Sequence, residues 1–236
     1  MSHQKISVSI NFHVAWVDLN LGNTLVNEIF VGHLQQVIDQ LEDANSVRVI
    51  VFQGLGSLAP SMNPVANLIA NAKKPTIALI SQDCFDHSLE IALACDIRIA
   101  STTSNFALRH LLYGILPNDG ATQRLPRIVG RSQSLFLLLT SQTIPASRAI
   151  EIGLVQQIAP ASKIKAIVEN TAEAIAKGGP IAIAYTKEAI LNSTELTLNQ
   201  GLVLEQDLSL LLYSTKDRAE GLSAFREKRA PKFGGE

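Results

Sequence analysis

The stretch Leu89-Glu90-Ile91-Ala92-Leu93-Ala94-Cys95-Asp96-Ile97-Arg98-Ile99-Ala100 decides the reading of the fold. It opens as a helix, with Leu89 and Leu93, joined by Ala92 and Ala94, on an apolar side at helical spacing. It then turns into Ile97-Arg98-Ile99-Ala100, a β-branched run of the kind that forms a strand. Glu90 falls in the first turns of this otherwise uncharged helix. Free N–H groups and the helix dipole favour a carboxylate there, so a capping charge is one reading. A catalytic carboxyl beside an anion-binding helix start is the other.

Upstream, Ile6-Val8-Ile10-Phe12 alternates and Val14 to Leu19 follows after a tight turn, which predicts two strands. Asn23-Thr24 can cap a helix whose apolar face carries Val26, Ile29, Phe30, Leu34, Val37, Ile38 and Leu41. Val47 to Phe52 is a nearly continuous apolar run, as in a strand covered on both faces. A short helix within Asn63 to Ala72 is stopped by Lys73-Lys74-Pro75, and Thr76 to Ile80 is the next buried strand. This strand–helix alternation implies mainly parallel pairing with helices packed outside. Downstream, Leu135 to Leu139 reads as a buried helix, and Pro145 to Val155 as a helix closed by Gly153, then a short strand. From Ala161 the pattern is helical throughout. One amphipathic helix carries Ile164 to Ile175, a second is opened by Pro180, and a third carries Leu198 to Leu212. Ser214 can start a last one. Leu208-Ser209-Leu210-Leu211-Leu212-Tyr213 holds more apolar residues than one helix face can bury in its own domain.

The chain has 236 residues, 47% of them apolar, enough for one large core. A formal net charge of −1 gives no sign of nucleic-acid or membrane-surface binding. Cys84 and Cys95 lack metal-ligand spacing, so no metal site is expected and buried thiols in a reducing, cytoplasmic compartment are. No secretory leader pattern or long apolar run suggests export or membrane insertion.

Glu90-x-Ala92-x-x-Cys95-Asp96-Ile97, the strand after it, Phe106, Gly114, Pro117 and Gly120-Ala121-Thr122-Gln123-Arg124-Leu125-Pro126-Arg127-Ile128-Val129-Gly130 together resemble the enoyl-CoA hydratase/isomerase (crotonase) family, over roughly Val47 to Pro160. The resemblance implies a crotonase-like α/β fold: a ββα superhelix over residues 1–160 and a C-terminal helical oligomerisation module over 161–236. It also implies a homotrimer or hexamer. The implied substrate is an acyl-CoA thioester, met without a separate cofactor, whose oxygen two backbone N–H groups stabilise as it becomes an enolate.

Carried over position by position, one donor falls on Ser61, after Ala59 and with Pro60 in place of a glycine. The other falls on His87, because Asp86-His87-Ser88 stands where the family has a glycine triplet. A backbone N–H survives at both positions, but glycine's permissive geometry does not. The competing reading of Asp86-His87-Ser88 is an N-cap cluster. Glu90 matches the first catalytic glutamate, and His110 stands in the place of the second. A Glu/His pair can exchange protons near neutral pH, whereas Arg109 beside the imidazole would lower its proton affinity. Asp119 is first of all a good N-cap for the helix that follows, and some hydrolase, dehalogenase and dienoyl-CoA isomerase branches place a catalytic Asp nearby. Lys187, Phe225 and Lys228 are candidate contacts for the CoA phosphates and adenine. The family's longer segment after Met62 is shortened here.

Two functions follow from these residues. One is an enoyl-CoA hydratase or isomerase, of the kind used in fatty acid metabolism, with Glu90 and His110 as acid and base. The other is a catalytically silent subunit of the same fold that binds CoA weakly or serves assembly.

Overall fold

The computed structural model describes residues 6–21 and 26–236. The expected Asn23-Thr24 cap lies outside them. Strands β1 (Ser7–Asn11) and β2 (Val14–Asp18) precede helix α1 (Glu28–Asp43), which is capped instead by the Asn27 side chain accepting from the Phe30 N–H. Then follow β3 (Val49–Gln53), β4 (Ser57–Leu58), α2 (Ala66–Ala70), β5 (Thr76–Ile80), β6 (Cys84–Asp86) and α3 (His87–Ala94). After β7 (Ile97–Ser101) and β8 (Asn105–Ala107) comes a 3-10 turn (His110–Tyr113), then α4 (Ala121–Val129) and α5 (Arg131–Thr140). The chain continues through β9 (Ile144–Pro145), α6 (Ala146–Glu151) and β10 (Gln157–Ala159). It ends in α7 (Ile164–Ala176), α8 (Pro180–Asn192), α9 (Leu198–Leu212) and α10 (Lys216–Glu227).

One sheet has the order β1-β2-β3-β5-β7-β10 and the other β4-β6-β8-β9. The large sheet is parallel except at the β1–β2 edge, and the small one except at β8–β9. Successive strands therefore alternate between sheets: β3 then β4, β5 then β6, β7 then β8. Helices α2 and α3 close the first two such pairs. This is the ββα superhelix, and it follows from short apolar strands interrupted every few residues by turns.

Phe52, Ile80, Cys84, Ile91, Phe106 and Leu125 fill the space between the sheets. On the outer face of the large sheet, Trp16, Val51, Ile77 and Ile99 pack against Ile164, Val168 and Ala172 of α7. Helix α7 thus covers the sheet, although its sequence position falls in the C-terminal helical region. All eight residues of α3 are buried. Carbonyls at its end are met by Arg98, whose guanidinium donates to Ala92 O (3.4 Å) and Cys95 O (2.5 Å), while its Nε donates to Leu154 O (2.8 Å). Both thiols are buried and free; burial pushes Cys95 up to about 12 and Cys84 further still.

Two local expectations are corrected. Helix α5 is not buried along Leu135 to Leu139: Leu137 packs inward, but Leu135, Phe136 and Leu139 are exposed. Helix α10 is capped by Thr215, not Ser214, with the Thr215 hydroxyl accepting from the Arg218 N–H. On α9 only Leu208 is buried, and Leu202, Val203, Leu210 and Leu211 face outward. No helix among the described residues is long and apolar enough to cross a membrane.

Helix α8 is tied to the core by Lys187. Its ammonium meets Asp96 Oδ2 at 2.7 Å and Lys74 O at 3.1 Å, and Asp96 Oδ2 also accepts from the Thr76 N–H at 2.7 Å. The lysine side chain is only 10% exposed. Lys187→Ala should therefore lower stability by about 1.5–3 kcal/mol, the scale of a charge-assisted hydrogen bond. At about 2–4 °C per kcal/mol for a chain of this size, thermal melting will show it.

Candidate functional site

Strands β4 and β6 run side by side with Leu58 opposite Asp86. Their C-terminal ends deliver the Ala59–Ser61 loop and the first turn of α3 to the same edge of the small sheet. Strand β8, the next neighbour of β6, delivers Arg109 and His110 to that edge. The site is assembled from these three strand ends and the start of α4.

Asp86 has φ +51° and ψ −118°, a conformation that side chains rarely adopt and glycine adopts freely. Its carboxylate does not cap α3, which corrects the N-cap reading of Asp86-His87-Ser88. It accepts instead from the Arg109 backbone N–H (2.5 Å), Nε (3.0 Å) and Nη2 (2.7 Å). Arg109 also lies over the Phe85 ring, 4.5 Å from its centre. The guanidinium is therefore engaged by Asp86, and the hydrogen bonds to that carboxylate push Arg109 up.

Glu90 is fully buried and caps a helix other than its own. Its Oε1 accepts from the N–H groups of Asp119 (2.9 Å) and Ala121 (3.2 Å), at the start of α4. Its Oε2 faces His110 Nε2 at 3.3 Å, close enough for an ion pair but misaligned for a hydrogen bond. His110 Nδ1 lies 4.0 Å from Asp86 Oδ1, so the imidazole sits between two buried carboxylates. Glu90 and His110 are thus brought together as the sequence suggests.

Asp119 does not cap α4 with its side chain; the capping position belongs to Gly120, at φ +98°. A Cβ there would lie 2.1 Å from Arg124 Nη1, which donates to Asp119 O at 2.8 Å. The Asp119 carboxylate reaches across to the start of α2. It accepts from the N–H groups of Val65 (2.8 Å) and Ala66 (2.9 Å) and from His87 Nε2 (2.8 Å). Asp119 and His87 join the site by this contact, His87 by its side chain as well as its backbone.

Ser61 is buried, its hydroxyl donating to Val26 O and accepting from the Asn63 N–H; its own N–H has no acceptor among the described residues. Ala59 is exposed on the same loop. Lys187 is corrected: its ammonium is bound to Asp96 and Lys74 O and is not free for a CoA phosphate. Phe225 on α10 is 84% exposed and Lys228 caps that helix at φ +54°; neither forms part of the cluster around Glu90.

Five of the seven buried polar side-chain atoms without a hydrogen-bond partner among the described residues belong to this site: His87 Nδ1, Ser88 Oγ, Glu90 Oε2, His110 Nδ1 and His110 Nε2. Sequence reasoning did not find the Asp86–Arg109 pair. The two residues stand 23 positions apart and meet only through the β6–β8 register. Arg109→Ala should cost about 3 kcal/mol, the low end for a broken buried pair, by leaving the buried Asp86 carboxylate without its cation. The double variant Asp86→Gly/Arg109→Ala should recover at least half of that, because glycine takes the positive φ without strain and carries no charge. Chemical unfolding of the two variants measures both effects.

Residues 56–236 match the family described as enoyl-CoA hydratase/isomerase. The chain is 33% identical to the protein YngF of Bacillus subtilis over 250 residues, covering 95% of this chain and 96% of that one. It is 30% identical to (E)-benzylidenesuccinyl-CoA hydratase of Thauera aromatica over 253 residues, covering 98% and 99%. The crystal structure of an enoyl-CoA hydratase from Bacillus anthracis superposes with a TM-score of 0.88 at 30% identity, covering 99% of this chain and 100% of that one. With this site on this superhelix, the chain belongs to the enoyl-CoA hydratase/isomerase family and has its crotonase fold.

Proposed function

We propose that the protein is an enoyl-CoA hydratase or isomerase in which Glu90 and His110 are the acid and base. The observation that carries this reading is the pair itself. Glu90 Oε2 and His110 Nε2 face each other at 3.3 Å, buried and otherwise unpartnered, while Oε1 is fixed by two N–H donors. One oxygen of the carboxylate positions the group and the other remains for proton transfer.

In a hydration, water oxygen bonds to the β-carbon while one group takes the water proton and the other protonates the α-carbon. The thioester oxygen carries the enolate charge between these events. The N–H groups of Ser61 and His87 are its donors in this reading, since both follow the adjacent ends of β4 and β6. Acyl-CoA is the substrate and no further cofactor takes part. Relatives whose names specify CoA thioester hydratases support the substrate class.

Glu90→Gln is the direct test. The amide keeps an oxygen for the Asp119 and Ala121 N–H groups but cannot exchange a proton at neutral pH. Turnover of a short enoyl-CoA, followed by loss of the conjugated thioester absorbance, should fall about 10²–10⁴-fold. His110→Ala should lower turnover by a similar factor, because it removes the other proton-exchanging group. Rates unchanged in either variant would reject the assignment. One observation favours the second reading, a silent subunit: Glu90, His110 and His87 are all shut from solvent at 0–1% exposure. A wild type without turnover that still binds CoA would establish it.

We further propose a cytoplasmic homotrimer or hexamer, supported by the outward apolar residues of α5 and α9. Sedimentation should give three or six times the 25.5 kDa chain mass at micromolar concentration. A monomer there would overturn the assembly.

A further inference from the structure

We propose that Asp86 is a positioning residue for His110: its carboxylate fixes the main chain from which the imidazole projects, and so sets the distance between His110 and Glu90. The inference rests on the reading above, in which those two side chains exchange the proton.

The imidazole is not held by its own ring. His110 is buried, and neither ring nitrogen has a hydrogen-bond partner among the described residues. Nε2 faces Glu90 Oε2 at 3.3 Å, and Nδ1 lies 4.0 Å from Asp86 Oδ1. The ring takes its place from packing and from the backbone at 109–110. On the C-terminal side that backbone is the 3-10 turn, where the Leu112 N–H donates to Arg109 O (2.9 Å) and the Ile115 N–H to His110 O (3.2 Å). On the N-terminal side the hold is Asp86. Its Oδ1 accepts from the Arg109 N–H at 2.5 Å, while Oδ2 accepts from Nε and Nη2 of the same residue. Asp86 thus grips residue 109 by main chain and side chain at once, one position before the imidazole.

The turn itself does not ask for an aspartate. At φ +51° and ψ −118°, glycine would stand there without strain. The aspartate is the strained choice, and it buries a carboxylate completely. Backbone outliers of this kind cluster where geometry serves a site. What this carboxylate serves is read from its contacts: all three hydrogen bonds it accepts among the described residues come from Arg109, and none from its own helix. Proton transfer depends on separation, and a misplacement of about 1 Å caused from outside the reacting atoms costs about 10²-fold in rate.

Steady-state hydration of a short enoyl-CoA by Asp86→Gly tests this. Glycine takes the turn, and the Arg109 side chain, 28% exposed, can turn to water, so the variant keeps its fold; thermal melting checks it. Its kcat should fall about 10²-fold with KM changed less than about twofold, because the carboxylate touches no substrate in this reading. Asp86→Asn keeps an oxygen for the Arg109 N–H and should recover at least about tenfold of the loss. In the His110→Ala background the glycine change should move the residual rate less than about twofold, since no imidazole remains to be positioned. Asp86→Ser, one bond short of the Arg109 N–H, carries the same test where the glycine variant does not fold. An unchanged kcat in the folded variant overturns the proposal, as does an asparagine variant as slow as the glycine one. Equal losses with and without His110 also overturn it, because the effect then runs through another group, such as the adjacent His87 N–H. A wild type without turnover rejects the hydratase reading and this inference with it; an active wild type that Asp86→Gly leaves unaltered removes this inference alone.

Discussion

The Asp119 carboxylate holds the site together. Through backbone and side chain, this residue joins three helices that the chain order keeps apart. Its N–H donates to Glu90 on α3, its carboxylate receives the first N–H groups of α2, and its carbonyl accepts from Arg124 on α4. A helix start has N–H groups that its own turns cannot satisfy. Here each of two helices has them satisfied by a carboxylate from another element: α2 by Asp119, and α4 by Glu90. Neither acid serves the helix it begins or sits in. The exchange fixes Glu90 and His87 in place without using a residue whose sole task is support.

The architecture was legible because it rests on local periodicity. Continuous apolar runs at Val49 to Phe52 and Thr76 to Ile80 are strands buried on both faces, and the spacing of Ile164, Val168 and Ala172 is a helix on a sheet. The pairing of Glu90 with His110 was legible through the family resemblance. What was not legible depends on register between strands distant in sequence. Asp86 and Arg109 meet because β6 lies beside β8, and no property of either residue announces it. Capping was misread for a related reason: Asp119 and Glu90 have the right chemistry for a cap, but which helix start they reach is a tertiary matter. Lys187 read as a CoA-phosphate contact, but α8 places its ammonium on Asp96.

The concentration of unpaired polar atoms at one place bears on what the site is for. Buried donors and acceptors are nearly always satisfied in folded proteins. Elsewhere among the described residues the exceptions are Arg48 Nε and Ser141 Oγ, far apart in the sequence. Around Glu90 there are five together, each costing roughly 1–3 kcal/mol. A fold with a two-sheet core can carry that cost, but nothing in packing asks for it. Local rules broken together at one site are the usual mark of a site shaped by chemistry. That argument favours an active enzyme over a silent subunit, and it applies to the histidines as much as to the glutamate.

The charge inventory explains why a histidine stands at position 110. Asp86 brings a carboxylate within 4.0 Å of that side chain. Glu90 brings another within 3.3 Å. Arg109, the guanidinium beside them, pairs through Nε and Nη2 with Asp86. A glutamate at 110 would place three buried carboxylates around one cation, an arrangement that like-charge repulsion at low dielectric makes costly. An imidazole removes the conflict, since it can sit neutral between the two acids or carry the charge that balances them. The same logic links a second pair: the imidazole at 87 is matched by the carboxylate of Asp119 at 2.8 Å. The site thus holds two contact pairs, in each of which the second residue answers the charge or the proton introduced by the first.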